Sequence, residues 1–270
     1  MSKSSQKLIK SNKNHKRLRT ASSSKNTFQT PEFLYGILPV QQALLHCKRT
    51  MSLLYIKDGP PSERIQELCR LAGNQKIPVQ QKSSRELDAL CPSVTHQGVV
   101  LACGPLPYAE AGLLDRVSSK NAPVFVALDQ IEDPHNFGAI VRSCSFFNIS
   151  GVIVPQHHAS PLTSTVSKTS AGVVEHFPVI AVANLARFLK EQKKKGYWIV
   201  GLDFDAEQKI SSLTLDRPLI LVLGNEGRGI RPLVRATCDW QLSIPGNTGV
   251  SSLNVSNAAA IALYQLSVGL

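Results

Sequence analysis

Three stretches of this chain combine polar side chains and glycines in the way a binding or catalytic loop requires. The first runs from Asp129 to Ser143 and reads DQIEDPHNFGAIVRS. Phe137, Ile140, Val141 and Cys144 recur at helical spacing, so they form an apolar stripe and leave Arg142 off the core face near the start of a helix. Two readings stand here: Asn136 caps the helix and Arg142 is an ordinary surface residue, or the helix N-terminus and the arginine together receive a phosphate. The second stretch is Gly224-Asn225-Glu226-Gly227-Arg228-Gly229, whose three glycines within six residues let the backbone turn tightly and approach a ligand. Its G-x-x-G-x-G spacing is not the dinucleotide fingerprint. Glu226 is either an exposed turn residue or a functional carboxylate held among glycines. The third stretch runs from Ile244, Pro245 and Gly246 to Ser256, with Ser252 or Asn254 as cap of a small-residue helix containing Ala258, Ala259 and Ala260.

Such loops need strands to hold them. Apolar, β-branched runs at 124–128, 152–154, 179–182, 198–202 and 219–223 read as buried strands, and 137–147, 185–195 and 254–266 as helices. This alternation predicts an α/β fold with a mostly parallel sheet covered on both faces. Ligands then sit beyond the carboxyl ends of strands, which singles out the loops after Leu128, Leu223 and Ile244. Upstream, strands at 53–56, 79–81 and 98–103 alternate with helices at 63–71 and 84–90, the latter capped by Ser83 or Ser84, forming a smaller α/β unit. The expected organisation is a basic tail over 1–31, a small domain over 32–104, a linker over 105–122 and a second domain over 123–270.

The 270 residues are 43% hydrophobic, enough for real cores. No run reaches the roughly 18 to 20 apolar residues of a membrane span, and the N-terminus has no apolar signal core. The six cysteines are scattered without a C-x-x-C pair, which argues for buried structural thiols in a reducing compartment rather than disulfides or zinc. Of the net charge of +11, eight positive charges and no acid precede Glu32. Such a segment reads as an RNA-binding arm, as a solubilising tail or as an organelle transit peptide, so the location is the cytoplasm or, on the last reading, the mitochondrial matrix.

DPHNFGAIVRS, LVLGNEGRGI and SIPGNTGVSSLNVSNAAAIAL resemble, in order and spacing, the three signature motifs of the SpoU-type RNA 2′-O-ribose methyltransferases of the SPOUT superfamily. Within that family the likeness is to the enzymes acting on a guanosine of 23S-type ribosomal RNA and their mitochondrial relatives. Residues 33–104, with Tyr35-Gly36 and His96-Gln97-Gly98-Val99-Val100, resemble the family's substrate-binding domain of the L30e type. The resemblance implies a trefoil-knotted catalytic domain, a homodimer with the active site near the subunit interface, and S-adenosylmethionine bound in a bent form against the knot loops without a metal. It carries a catalytic set onto Asn136, Arg142, Glu226, Ser252 and Asn254. It carries a cofactor set onto Leu223, Gly224, Asn225, Gly227, Ile244, Pro245, Gly246, Ser252 and Leu253.

Arg142 is expected to hold a phosphate and stabilise charge on the ribose oxygen, because a guanidinium is effectively always protonated and makes a poor base. Asn136 and Asn254 are expected to orient Arg142 and the nucleotide, Glu226 to fix a loop or a cross-dimer partner, and Ser252 to hold the third loop. Transfer RNA or another ribosomal position are the alternative substrates. A noncatalytic RNA-binding protein would not require three intact motifs. A nicotinamide-dependent oxidoreductase lacks its early G-x-G-x-x-G, and a serine hydrolase lacks the G-x-S-x-G elbow. Adjacent His157 and His158 are poorly spaced to chelate one metal.

Overall fold

The computed structural model describes residues 32–116, 122–213, 218–246 and 252–268. The basic arm lies outside the described residues, and so do residues 247–251 of the third loop.

The chain opens with β1 (Glu32–Tyr35), α1 (Ile37–His46), β2 (Met51–Lys57), α2 (Glu63–Asn74), β3 (Val79–Lys82), α3 (Ser84–Leu90) and β4 (Val99–Cys103). These build a four-stranded sheet of order β1-β4-β2-β3, antiparallel on both sides of β4 and parallel between β2 and β3. Ser83 rather than Ser84 caps α3, in a capping box with Glu86 whose hydrogen bonds from Ser83 hold the carboxyl down to about 2. Sequence reasoning missed β1 and α1. The sequence of α1, ILPVQQALLH, carries a proline, yet Pro39 falls in the first turn, where a missing N–H costs no helical hydrogen bond.

Next come α4 (Leu113–Arg116), β5 (Val124–Asp129), α5 (Pro134–Phe146), β6 (Gly151–Pro155), α6 (Ser164–Thr169), β7 (Val179–Val182), α7 (Leu185–Lys194) and β8 (Trp198–Leu202). The chain closes with β9 (Gln208–Lys209), β10 (Leu219–Gly224), α8 (Pro232–Arg235), β11 (Trp240–Ser243) and α9 (Val255–Val268). All seven strands from β5 onward form one parallel sheet of order β7-β6-β5-β10-β8-β11-β9. Every residue of β5 and β6 is buried, as expected for strands covered on both faces. Residues before β5 follow the edge of this sheet, where the Ala109 N–H donates to Val179 O at 2.7 Å.

Asp133, not Asn136, caps α5: its Oδ1 accepts from the His135 N–H at 2.9 Å, with Pro134 in the first turn. The anticipated stripe Phe137, Ile140, Val141 and Cys144 is buried. α5 is pressed between α6 and α9. A methyl group on Gly138 would meet Thr169 Cβ at 2.7 Å and Val166 O at 2.8 Å, so only glycine permits this approach to α6. The buried face of α9 combines the small Ala259 and Ala262 with Val255, Leu263 and Leu266.

The smaller sheet is tied to the larger through Arg49 and Glu175, which lies in a single-turn helix after α6. Arg49 Nε and Nη2 each donate to the Glu175 carboxylate at 2.9 Å, and both side chains are 1% exposed. Burial opposes the guanidinium charge, and the facing Glu175 more than offsets it, so Arg49 holds its proton more tightly than usual. Ser167 Oγ adds a 2.8 Å hydrogen bond to Glu175, and Arg49 Nη1 reaches Gly104 O at 3.2 Å.

Candidate active site

β5 and β10 run in register with Gly224 opposite Asp129, so the first two loops leave the sheet at one level. Asp129 is fully buried. Its Oδ2 accepts from the Arg231 N–H at 2.8 Å, and its Oδ1 faces Arg231 Nε at 2.8 Å and Nη2 at 2.6 Å. A buried carboxylate needs such a partner, and here the pairing also fixes the spacing of the two loops. The second loop closes on itself: the Asn225 N–H donates to Gly229 O at 3.1 Å and the Gly229 N–H to Asn225 O at 2.8 Å. Asn225 Oδ1 accepts from Gly227 and Arg228 N–H at 3.0 and 3.3 Å, while its Nδ2 donates to Gln130 O at 3.2 Å. A side chain at Gly224 would collide with the backbone of Gly229 and Ile230.

Three of the expected catalytic residues come together. Asn136 Nδ2 donates to Glu226 Oε1 at 2.8 Å, and Asn254 Nδ2 lies 2.7 Å from the same oxygen and 3.0 Å from Asn136 Oδ1. The Val255 N–H also points to Glu226 Oε1, at 3.3 Å. Asn254 Oδ1 accepts from the Ser256 N–H at 2.9 Å, so this residue caps α9 while its amide serves the cluster. One carboxylate oxygen thereby joins residues from all three loops. The amides do not orient Arg142 as expected. Arg142 is the ninth residue of α5, about 12 Å along the axis from its start, so it does not share a phosphate site with that helix N-terminus. It is exposed and has no hydrogen bond or ion pair among the described residues.

Beside the cluster opens a cavity of ≈ 600 Å³, within the range that takes small organic ligands. Of the expected cofactor set, Leu223, Gly224, Asn225, Gly227, Ile244, Ser252 and Leu253 line it, together with Glu226. Pro245 and Gly246 do not reach its wall. Aliphatic side chains of Leu223, Ile230, Ile244 and Leu253 set against a glycine-rich backbone suit a flat, partly apolar group such as a nucleoside, so the residues present fit S-adenosylmethionine. Sequence reasoning missed Leu202, Asp203, Phe204, Asp205 and Arg235, which form another wall. The signal was available, because Leu202 ends a parallel strand like those before the other loops.

The SpoU rRNA methylase family model matches residues 123–264, and the model for RNA 2′-O ribose methyltransferase substrate binding matches residues 33–109. The chain belongs to the SpoU rRNA methylase family. Its SpoU relatives include the 23S rRNA (guanosine-2′-O-)-methyltransferase RlmB of Pseudomonas aeruginosa, 37% identical over 237 residues that cover 87% of this chain and 95% of that protein. The SpoU methyltransferase AviRb from Streptomyces viridochromogenes superposes with a TM-score of 0.74 at 24% identity, over 88% of this chain and 89% of that one. An AdoMet-bound rRNA methyltransferase from Sinorhizobium meliloti does so with a TM-score of 0.75 at 21% identity, over 89% and 88%. At those identities the two structures attest the fold.

Other groups in this SpoU protein are poorly suited to nucleophilic chemistry. Burial pushes the Cys91 and Cys238 thiols up to about 11 and Cys144 higher still, so they stay protonated near neutral pH. Cys91, Cys103 and Cys144 are buried as expected, while Cys69 and Cys238 are half-buried and Cys47 is exposed. His157 and His158 are exposed after β6, and His158 Nδ1 lies 3.9 Å from Glu132. Among the described residues no helix is long and apolar enough to cross a membrane.

Proposed function

We propose that this protein methylates the ribose 2′-hydroxyl of a guanosine in large-subunit ribosomal RNA, with S-adenosylmethionine as donor. The observation that carries this reading is the single Glu226 oxygen shared by Asn136, Asn254 and the start of α9 at the mouth of the cavity. That contact assembles the three motif loops, and the family membership gives them their chemistry. S-adenosylmethionine, when bound, supplies a methyl group that is already electrophilic. The protein therefore has to align the 2′-oxygen and ease loss of its proton, so positioning is a large share of the work. Glu226 locks the loops within one protomer, and the Asn136 and Asn254 amides face the nucleotide from a fixed frame. Arg142, free of partners in its own chain, is available to a substrate phosphate and to the charge growing on the ribose oxygen. Residues 32–104 read the RNA, and the basic arm adds sequence-independent attraction.

The enzyme works as a homodimer in this reading. Phe146 is 82% and Tyr264 58% exposed on the α5 and α9 face, with Phe147 edge-on to both. Arg142 lies one helical turn before Phe146, so a second copy covering that face would bring Arg142 into the interface. Phe146→Asp is expected to yield a monomer in sedimentation with at least about tenfold less turnover, a loss worth ~1.4 kcal/mol; a dimer with full activity would refute the arrangement. The decisive test of function is mapping 2′-O-methyl groups in ribosomal RNA from cells with and without the gene, followed by restoration with the purified protein. Loss and recovery of the 2′-O-methyl group at one guanosine of the large-subunit RNA is expected, and an unchanged methylation pattern in that RNA would overturn the substrate.

A further inference from the structure

A second polar seam joins the two sheets, and unlike the Arg49–Glu175 contact it carries an unbalanced charge. Lys168, in the last turn of α6, donates from Nζ to Gln97 Oε1 at 2.7 Å, and the Ile37 N–H at the start of α1 donates to the same oxygen at 3.2 Å. The backbone is shaped for this contact. Gln97 holds a φ of 56° and Gly36 one of 91°, and a Cβ on Gly36 would lie 2.5 Å from Lys168 Nζ, so the glycine leaves room for the ammonium. His96 steadies the turn, with Nδ1 accepting from the Gly98 N–H at 3.0 Å and Nε2 facing Asp88 at 3.0 Å. Yet Lys168 has an amide oxygen as partner and forms no ion pair among the described residues. Burial pushes its ammonium below the usual lysine range, with no carboxylate to offset the shift. The seam continues towards the candidate site. Thr169 Oγ1 lies 3.4 Å from His135 Nδ1, and the exposed His135 directly precedes Asn136. At the other end, Tyr35 OH lies 3.5 Å from Thr165 Oγ1.

We propose that this seam carries the RNA strand from the smaller sheet to the Asn136–Glu226–Asn254 cluster, and that Lys168 binds a backbone phosphate close to the methylated ribose. The inference rests on the methyltransferase reading and adds the residue that fixes the strand beside the site. A phosphate supplies the negative charge that Lys168 lacks, at a point where the ammonium is partly shielded from water and the attraction is correspondingly stronger. Gln97 holds the ammonium in place, and Thr169 and His135 offer hydrogen bonds to the sugar-phosphate backbone. The Arg49–Glu175 pair already docks the sheets with its charges balanced, which leaves the charge on Lys168 for a ligand.

Binding of the full-length protein to protein-free large-subunit ribosomal RNA, measured over a series of salt concentrations, tests this. Lys168→Gln is expected to weaken binding at low salt by about tenfold, as the loss of one charged hydrogen bond would. It should also make the log-log salt slope shallower by about 0.7, the share of one phosphate contact on a single strand. Lys168→Arg should keep the wild-type slope. Gln97→Ala removes the tie between the sheets but leaves the charge, so its slope should match wild type as well. An unchanged slope in Lys168→Gln would overturn the proposal. Equal effects of Lys168→Gln and Gln97→Ala would overturn it too, because Lys168 would then serve to dock the sheets. A wild-type protein that neither binds nor methylates this RNA would instead refute the methyltransferase reading itself.

Discussion

Glu226 and Arg142 divide the work of the site in opposite ways. Glu226 is engaged through one oxygen, on which three donors from two loops converge, and its task is geometric. Arg142 is unengaged within the chain, and its value lies in a planar fork that can grip a phosphate at two points. Arg142→Lys retains the charge and loses the fork. Single-turnover methylation should therefore fall by at least about tenfold, or ~1.4 kcal/mol of transition-state stabilisation. Turnover close to wild type would exclude a geometric role for the guanidinium.

The second loop contains two glycines whose substitution should have different consequences. Gly224 is packed against the backbone of Gly229 and Ile230, so any side chain there disrupts the loop itself. Gly227 lines the cavity, and the nearest atom to an added Cβ is Asn225 Oδ1 at 3.7 Å, an ordinary contact. Gly227→Val should thus leave melting within a few degrees of wild type while its isopropyl group occupies cofactor space. Binding of S-adenosylhomocysteine is expected to become undetectable by calorimetry in a protein that stays folded. Unchanged binding would remove this loop from the cofactor site. Gly224→Ala, by contrast, should lower the melting temperature and the affinity together.

At the scale of the molecule, the buried Arg49–Glu175 pair joins the two sheets and makes their relative placement depend on a charge. Arg49→Met leaves Glu175 buried without its cation, and removing one partner of such a pair typically costs about 3–5 kcal/mol. The double variant with Glu175→Gln should recover much of that loss in chemical denaturation, because the uncompensated charge is gone. Equal stability of the single and double variants would show that the pair does not govern docking.

Most of the helices and strands, and the polar residues of the three loops, were legible in the amino-acid sequence, whereas β1, α1 and the cavity wall after β8 were not. Apolar runs located five strands of the larger sheet because those five are largely buried, and missed the exposed β9 and half-buried β11; the resemblance to the SpoU motifs singled out Asn136, Glu226 and Asn254. Local signals were ambiguous at helix starts, where Asp133 and Asn136 are both competent caps and only the folded backbone chooses between them. Long-range folding places β10 between β5 and β8, although residues 124–129 and 219–224 are distant along the chain. Strand order depends on long-range pairing, which leaves no mark in local periodicity. For that reason the Glu226 hub, the isolation of Arg142 from the amides and the Phe204–Asp205 wall became visible only in three dimensions.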